Sequence, residues 1–316
     1  MEHRFEELLE TALYHKATDL HFNVTPENCS ILLRGLNGLI RIESRENDDR
    51  LFNYLQYMAN LDVTCLNKPQ SGAFSYFFHG QYYDFRFAVI QTSRYKNGVL
   101  RILNCHQGLS LSQLTDDKEV QNTFSNWLNR RSGLILFTGL TGSGKTTTLY
   151  SLLKLASGKT IYSIEDPIEV VQDNIIQLEV NDRIGFGYNE GIKQILRHNP
   201  DIIMIGEIRD SLAANMAVRS ALTGHLVVTS LHSFSCIGAI GRMIELGVEK
   251  AALRSVLRGV SNQRLFRDEE GKRTGVYECL DENGIAYWFE KQCLPEGFKD
   301  IETKMAAAAS GGLAPL

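Results

Sequence analysis

GLTGSGKTTT, residues 139–148, follows directly on the apolar run Leu134-Ile135-Leu136-Phe137, and its reading decides the architecture around it. The stretch matches G-x-x-x-x-G-K-[ST] at Gly139, Gly144, Lys145 and Thr146, with an expected strand before it and an expected helix after it. That context separates a phosphate loop from a glycine turn. Glycines let successive backbone N–H groups face inward as an anion nest, and the dipole of the following helix adds positive potential at the same point. Lys145 offers a point charge to the β- and γ-phosphates, and the Thr146 hydroxyl can reach Mg²⁺. Thr141, Gly142, Ser143 and Thr147 complete the expected nucleotide-binding set.

Outward from this loop the chain repeats strand then helix. GLILFT (133–138) runs into the loop and a helix from about Lys145 to Ser157, closed by Gly158. TIYSIED (160–166) reads as a strand, IIMIGE (202–207) as a strand followed by a helix from about Asp210 to Leu222, and LVVTSLH (226–232) as another strand. Near-continuous apolar strands alternating with helices predict an α/β fold, a mostly parallel sheet with helices on both faces. Ligands of such sheets sit at the carboxyl ends of the strands.

A phosphate loop binds nucleotide, whereas hydrolysis needs a group that orients water at the γ-phosphate. Glu207 stands near the carboxyl end of the expected strand 202–205, where a carboxylate can polarise water directly or through the metal shell. Gly206 takes the place where many P-loop enzymes carry a metal-associated aspartate. The competing reading of Glu207 is a solvated glutamate paired with Arg209. At the end of another strand, Glu165, Asp166 and Glu169 surround Pro167; a metal or water role falls to Glu165 or Asp166, the latter holding Mg²⁺ through water. His225 and His232 bracket one strand an odd number of residues apart and so face opposite ways. His232, at the carboxyl end, is the candidate γ-phosphate sensor, and His225 caps or packs.

With 316 residues and 43% hydrophobic content, the chain is long enough for two domains. Its net charge of −4 disfavours direct nucleic-acid binding. No apolar run approaches the ~20 residues of a membrane span. The cysteines, at 29, 65, 105, 236, 279 and 293, include no CxxC pair, so neither a disulfide framework nor a zinc site is expected, and a reduced cytoplasm fits best. Residues 1–108 read as a small α/β domain. Phe5, Leu8, Leu9, Ala12 and Leu13 recur at helical spacing, and DLHFNV (19–24) is a strand. SILLRGLNGLIRI (30–42) is a strand pair folded at Leu36-Asn37-Gly38. After a helix over Leu51–Leu61, Phe74, Tyr76 and Phe78 and then Tyr83, Phe85, Phe87 and Val89 alternate about Gly80 as a half-buried hairpin, with Asp84 and Arg86 on its other face. VLRILN (99–104) adds a strand. Residues 109–118 are expected as a linker, 119–303 as the phosphate-loop domain, and 304–316, which contain AAAASGGLAPL, as a flexible tail outside the fold.

GLTGSGKTTTLYS, IYSIEDPIE, LRHNPDIIMIGEIRD and TGHLVVTSLH, in that order, resemble the Walker A, Asp-box, atypical Walker B and His-box motifs of the type II/IV secretion ATPase superfamily. ATDLHF, YYDFRFAVIQT and GVLRIL resemble the family's N-terminal PAS-like domain, and LGVEKAALRSVLRGVSNQRLF with KRTGVYE its C-terminal helical region. The resemblance implies a RecA-like core hydrolysing ATP with Mg²⁺, a homo-hexameric ring, and docking on a polytopic platform protein at the cytoplasmic face of the membrane. It also implies that arginines of the N-terminal domain reach the nucleotide; Arg86 and Arg101 fall at those places, with Arg94 as a weaker candidate. The lack of a cysteine pair and the start of the first helix at Glu2 suggest a minimal member. LEVND, Phe186 and GIKQILRHNPD resemble the assembly branch more than the retraction branch, above all the small ATPase of the competence pseudopilus in Gram-positive bacteria.

Overall fold

The computed structural model describes all residues except 36–37, 104–108 and 182–183. The chain divides into two compact units, Met1–Gln107 and Gly108–Leu316.

The first unit contains α1 (Glu2–Tyr14), β1 (Asp19–Val24), β2 (Cys29–Gly35), β3 (Gly38–Ile42), α2 (Asp48–Met58), β4 (Gln70–Phe78), β5 (Gln81–Gln91) and β6 (Lys96–Ile102). Its strands form one antiparallel sheet in the order β3-β2-β1-β6-β5-β4. Along β5, Tyr83, Phe85, Phe87 and Val89 are buried and Arg86 and Ala88 exposed, because successive side chains leave opposite faces of a strand. The buried face receives Phe5, Leu8 and Leu9 from α1 and Leu51, Phe52 and Leu55 from α2. Arg4 of α1 donates to the buried Asp48 at the start of α2 at 3.0 Å, which satisfies a carboxylate that burial would otherwise penalise. His79 and Gly80 both have positive φ, as a two-residue hairpin turn requires. The expected fold at Leu36-Asn37 lies outside the described residues; Gly35 and Gly38 pair on either side of it.

The second unit contains α3 (Leu111–Leu114), α4 (Lys118–Leu128), β7 (Gly133–Gly139), α5 (Lys145–Leu153), β8 (Ile161–Glu165), β9 (Ile176–Glu179), α6 (Tyr188–Leu196), β10 (Ile202–Ile205), α7 (Ser211–Leu222), β11 (Leu226–Leu231), α8 (Cys236–Glu245), α9 (Lys250–Val256), β12 (Leu257–Arg267), β13 (Arg273–Asp281), α10 (Glu282–Lys291), α11 (Ile301–Ser310) and β14 (Ala314–Pro315). The sheet runs β13-β12-β7-β11-β10-β8-β9, parallel from β12 to β9, with β13 and β14 antiparallel to β12. This is a RecA-like α/β core. Leu134 and Leu136 pack on the α6 to α10 side and Ile135 and Phe137 on the α4 and α5 side, which is why β7 reads as an unbroken apolar run.

Four expectations need correction. Residues 304–316 are not outside the fold: Asp300 caps α11 by accepting from Thr303 N at 2.9 Å, and Ala314–Pro315 pairs with β12. Alanine is the strongest helix former, so a low-complexity run after a capping aspartate is a helix signal. The stretch expected as linker contains α3, whose Leu111 is buried. The C-terminal region is only partly helical, because Leu257–Arg267 lies parallel to β7 and pairs with β13 in a long hairpin. α5 also stops at Leu153, short of Ser157.

Candidate nucleotide site

β7 ends at Gly139 and α5 begins at Lys145, which places the loop between them at the carboxyl end of a central strand. Gly139, Gly142 and Gly144 have φ of 150°, 79° and 84°. A Cβ on Gly139 would lie 2.6 Å from the Gln263 carbonyl oxygen, so only glycine fits there. No side chain caps α5, and its first-turn N–H groups remain free to meet an anion. Lys145 is buried, and its ammonium donates to the carbonyls of Gly139 at 3.1 Å and Leu140 at 3.0 Å. Burial pulls its pKa down to about 8; the charge of Glu169 opposes this and that of Arg264 adds to it. The Ser143 hydroxyl is buried without a partner. An uncapped helix start, a buried cation and an orphaned hydroxyl in one loop fit a polyphosphate chain.

One supporting residue escaped the sequence reading. Gln263 of β12, 1% exposed, donates through Nε2 to the Ser143 carbonyl and accepts from Thr148 Oγ1 at 3.0 Å. Thr148 in turn lies 3.0 Å from the Tyr277 hydroxyl of β13. The loop and the first turn of α5 are thereby held on the neighbouring strands. Its sequence signal is the polar run Ser261-Asn262-Gln263 inside a buried strand. Gln263→Ala removes two buried hydrogen bonds, taking this donor from the Ser143 carbonyl while Thr148 keeps Tyr277, and is expected to cost roughly 2 kcal/mol of stability, with weaker nucleotide binding. Denaturant unfolding and a titration with fluorescent ADP check this; unchanged affinity would mean that the loop holds its own shape.

The acidic residues separate by face. Glu165, a catalytic candidate from the sequence, is 2% exposed and engaged on both oxygens: Tyr150 Oη donates to Oε2, and Ser163 Oγ at 2.6 Å and Gln177 Nε2 at 3.0 Å donate to Oε1. Strand alternation turns it under the sheet end, where it anchors α5 and β9 to β8. Burial and then the Glu165 charge push the Tyr150 phenol well above its ordinary pKa, keeping it a donor. Asp166, next along, points outward and pairs with Arg209 Nη1 at 3.1 Å.

Glu207 lies one residue beyond the end of β10, after Gly206, and is paired with Arg209 Nε; its other oxygen is 3.4 Å from His232 Nε2, just past β11. Burial, then the charges of Lys145 and Arg209, hold His232 below its usual pKa. Asp166, Glu207 and His232 thus gather at the carboxyl ends of β8, β10 and β11, on the same sheet edge as the phosphate loop. A Cβ at Gly206 would sit 3.3 Å from the Ile164 carbonyl oxygen, a tight contact that leaves little room for a side chain there. His225 lies at the other end of β11, its Nδ1 3.1 Å from Thr223 Oγ1, and takes no part. In the first unit, Arg86 Nε donates to Ser71 Oγ at 3.1 Å and Arg101 Nε to the buried Asp19 at 2.7 Å, and the two arginines face each other across β5 and β6. Arg94 follows β5 and is exposed.

Among the described residues no three His, Cys, Asp or Glu side chains converge as a metal site. Mg²⁺ commonly keeps several waters and phosphate oxygens with few protein ligands, so Thr146 with outer-sphere acids fits it.

The family model described as "Type II/IV secretion system protein" matches residues 1–303. This chain belongs to the type II/IV secretion system family. It is similar to the competence protein ComGA of Bacillus subtilis, 34% identical over 311 residues, which cover 92% of this chain and 86% of that protein. It is 36% identical over 266 residues to the type II secretion system ATPase E of Vibrio cholerae, covering 82% of this chain but 53% of that protein, so it spans about half the length of such relatives. The solved pilus retraction motor PilT with bound ADP superposes with a TM-score of 0.74 at 25% identity, over 98% of this chain and 94% of that one. This member of the secretion family is an ATP-hydrolysing enzyme, a motor ATPase of pilus or secretion machinery.

Proposed function

We propose that the chain uses ATP and Mg²⁺ to drive assembly of a type IV pilus-like pseudopilus for DNA uptake in competence. The observation that carries the reading is the gathering of Glu207 and His232 on the sheet edge that bears the phosphate loop. The 34% identity to ComGA over 311 residues supports the competence branch. Bound Mg²⁺ would neutralise the β- and γ-oxygens and polarise the phosphoryl group. Thr146 would hold that ion, Asp166 would reach it through water, and the loop N–H groups with Lys145 would fix the phosphates. Glu207 would orient the attacking water and take its proton, with His232 registering the terminal phosphate. In a homo-hexameric ring, Arg86 and Arg101 would supply guanidinium charge to the transferring group. Among the described residues no helix is long and apolar enough to cross a membrane. As the family resemblance implies, the motor would work in the cytoplasm, docked through a polytopic platform protein. DNA would be cargo of the machine, not a ligand of this chain.

Retraction or type II secretion is the second reading, supported by the likeness to PilT. A nucleotide-gated scaffold with little hydrolysis is the reading from a different class. Cells of the native host whose only copy carries Lys145→Ala, at normal protein level, are expected to lose uptake of labelled DNA. Normal uptake would remove DNA import and direct attention to secretion or retraction.

A further inference from the structure

We propose that Arg209 is a guanidinium with two positions, clamped on Glu207 and Asp166 when no triphosphate is beside it and moved onto the terminal phosphate when ATP is bound, releasing both carboxylates. This rests on the reading of Glu207 as the group that orients water. Arg209 lies on the irregular stretch between β10 and α7, two residues beyond Glu207. Its Nε donates to Glu207 Oε1 and its Nη1 to Asp166 Oδ2 at 3.1 Å, while the second oxygen of Glu207 is 3.4 Å from His232. Arg209 thus holds one Glu207 oxygen and neutralises the carboxylate's charge, and that charge becomes fully available to orient water only when the guanidinium withdraws.

The partner able to leave is Arg209. Its side chain is 57% exposed, and among the described residues its polar partners are these two acids. Exposed pairs of this kind contribute about 0–1 kcal/mol, so exchange is cheap. A guanidinium fork matches phosphate as well as carboxylate, and a terminal phosphate carries more charge than either acid. The charges of Arg209 and Lys145 both act on His232, which places this loop and the phosphate loop in one electrostatic neighbourhood. ATP would therefore withdraw Arg209 from Glu207 and Asp166 together, freeing one for water and the other for the metal shell. ADP, lacking the terminal phosphate, would let the clamp re-form.

Equilibrium binding of Mg²⁺ with a fluorescent non-hydrolysable ATP analogue, and separately with fluorescent ADP, tests this on the full chain. Arg209→Ala is expected to weaken the triphosphate by about tenfold and to leave ADP within about twofold, with Arg209→Lys recovering only part, since an ammonium cannot bridge as a fork does. Unchanged affinity for both nucleotides would make Arg209 an ordinary surface ion pair and overturn the proposal. Equal loss of both, or a gain for the triphosphate, overturns it as well. Lys145→Ala separates the underlying reading: both nucleotides should weaken, and retention of both would sink the site assignment itself.

Discussion

Glu207→Gln is expected to lower kcat for ATP hydrolysis by about 10²- to 10³-fold while ATP still binds. The amide has nearly the size of the carboxylate, so the stretch between β10 and α7 has no steric reason to move. What it loses is the negative charge that orients water and the capacity to take its proton. Binding persists because the phosphates are held elsewhere, by the loop N–H groups and by Lys145. Steady-state hydrolysis alongside nucleotide titration reads the two quantities separately. A wild-type rate in this variant would remove Glu207 as the base. A parallel loss of binding would instead make it a structural residue.

The second large effect is expected at Gly139. Gly139→Ala puts a methyl group 2.6 Å from the Gln263 carbonyl at a φ of 150°, at the very pair where β7 and β12 are in register. Either the strand pair separates there or the loop rotates, and both disturb the contacts of Ser143 and Lys145. A loss of roughly 3 kcal/mol follows from steric overlap plus backbone strain. For a unit of this size that corresponds to a fall in Tm of roughly 6–12 °C, together with loss of the stabilisation that added ADP normally gives. Gly142→Ala is the control: a Cβ there meets nothing within 4 Å, leaving only the strain of its φ of 79°. Thermal scans with and without ADP check both variants. Equal shifts at the two positions would show that contact with Gln263 is not what makes Gly139 necessary.

The phosphate loop, the strand and helix alternation around it and the aromatic hairpin of the first unit were legible because each is a local pattern with a local physical cause. Strands buried on both faces must be apolar throughout, and a half-buried hairpin must alternate. Position relative to the sheet was less legible. Glu165 and Asp166 are neighbours in one acidic motif, yet one is sealed beneath Tyr150 and the other faces Arg209, and only the register of β8 decides which. Gln263 carries no motif at all, since its role depends on β12 lying against β7. The alanine-rich terminal helix is hidden for another reason: its low-complexity composition resembles that of a disordered tail, and only the Asp300 cap together with the helix propensity of alanine marks it as helical.

Ser143 and the glutamine that holds it are 120 positions apart in the chain. During synthesis the phosphate loop therefore leaves the ribosome well before β12 exists. At about 5–20 residues per second the interval is about 6–24 s. Through that time β7 has no strand on its β12 side, and the loop has no clamp. The nascent protein is expected to become competent for nucleotide only near the end of translation, so the order of folding itself keeps an unfinished motor from consuming ATP.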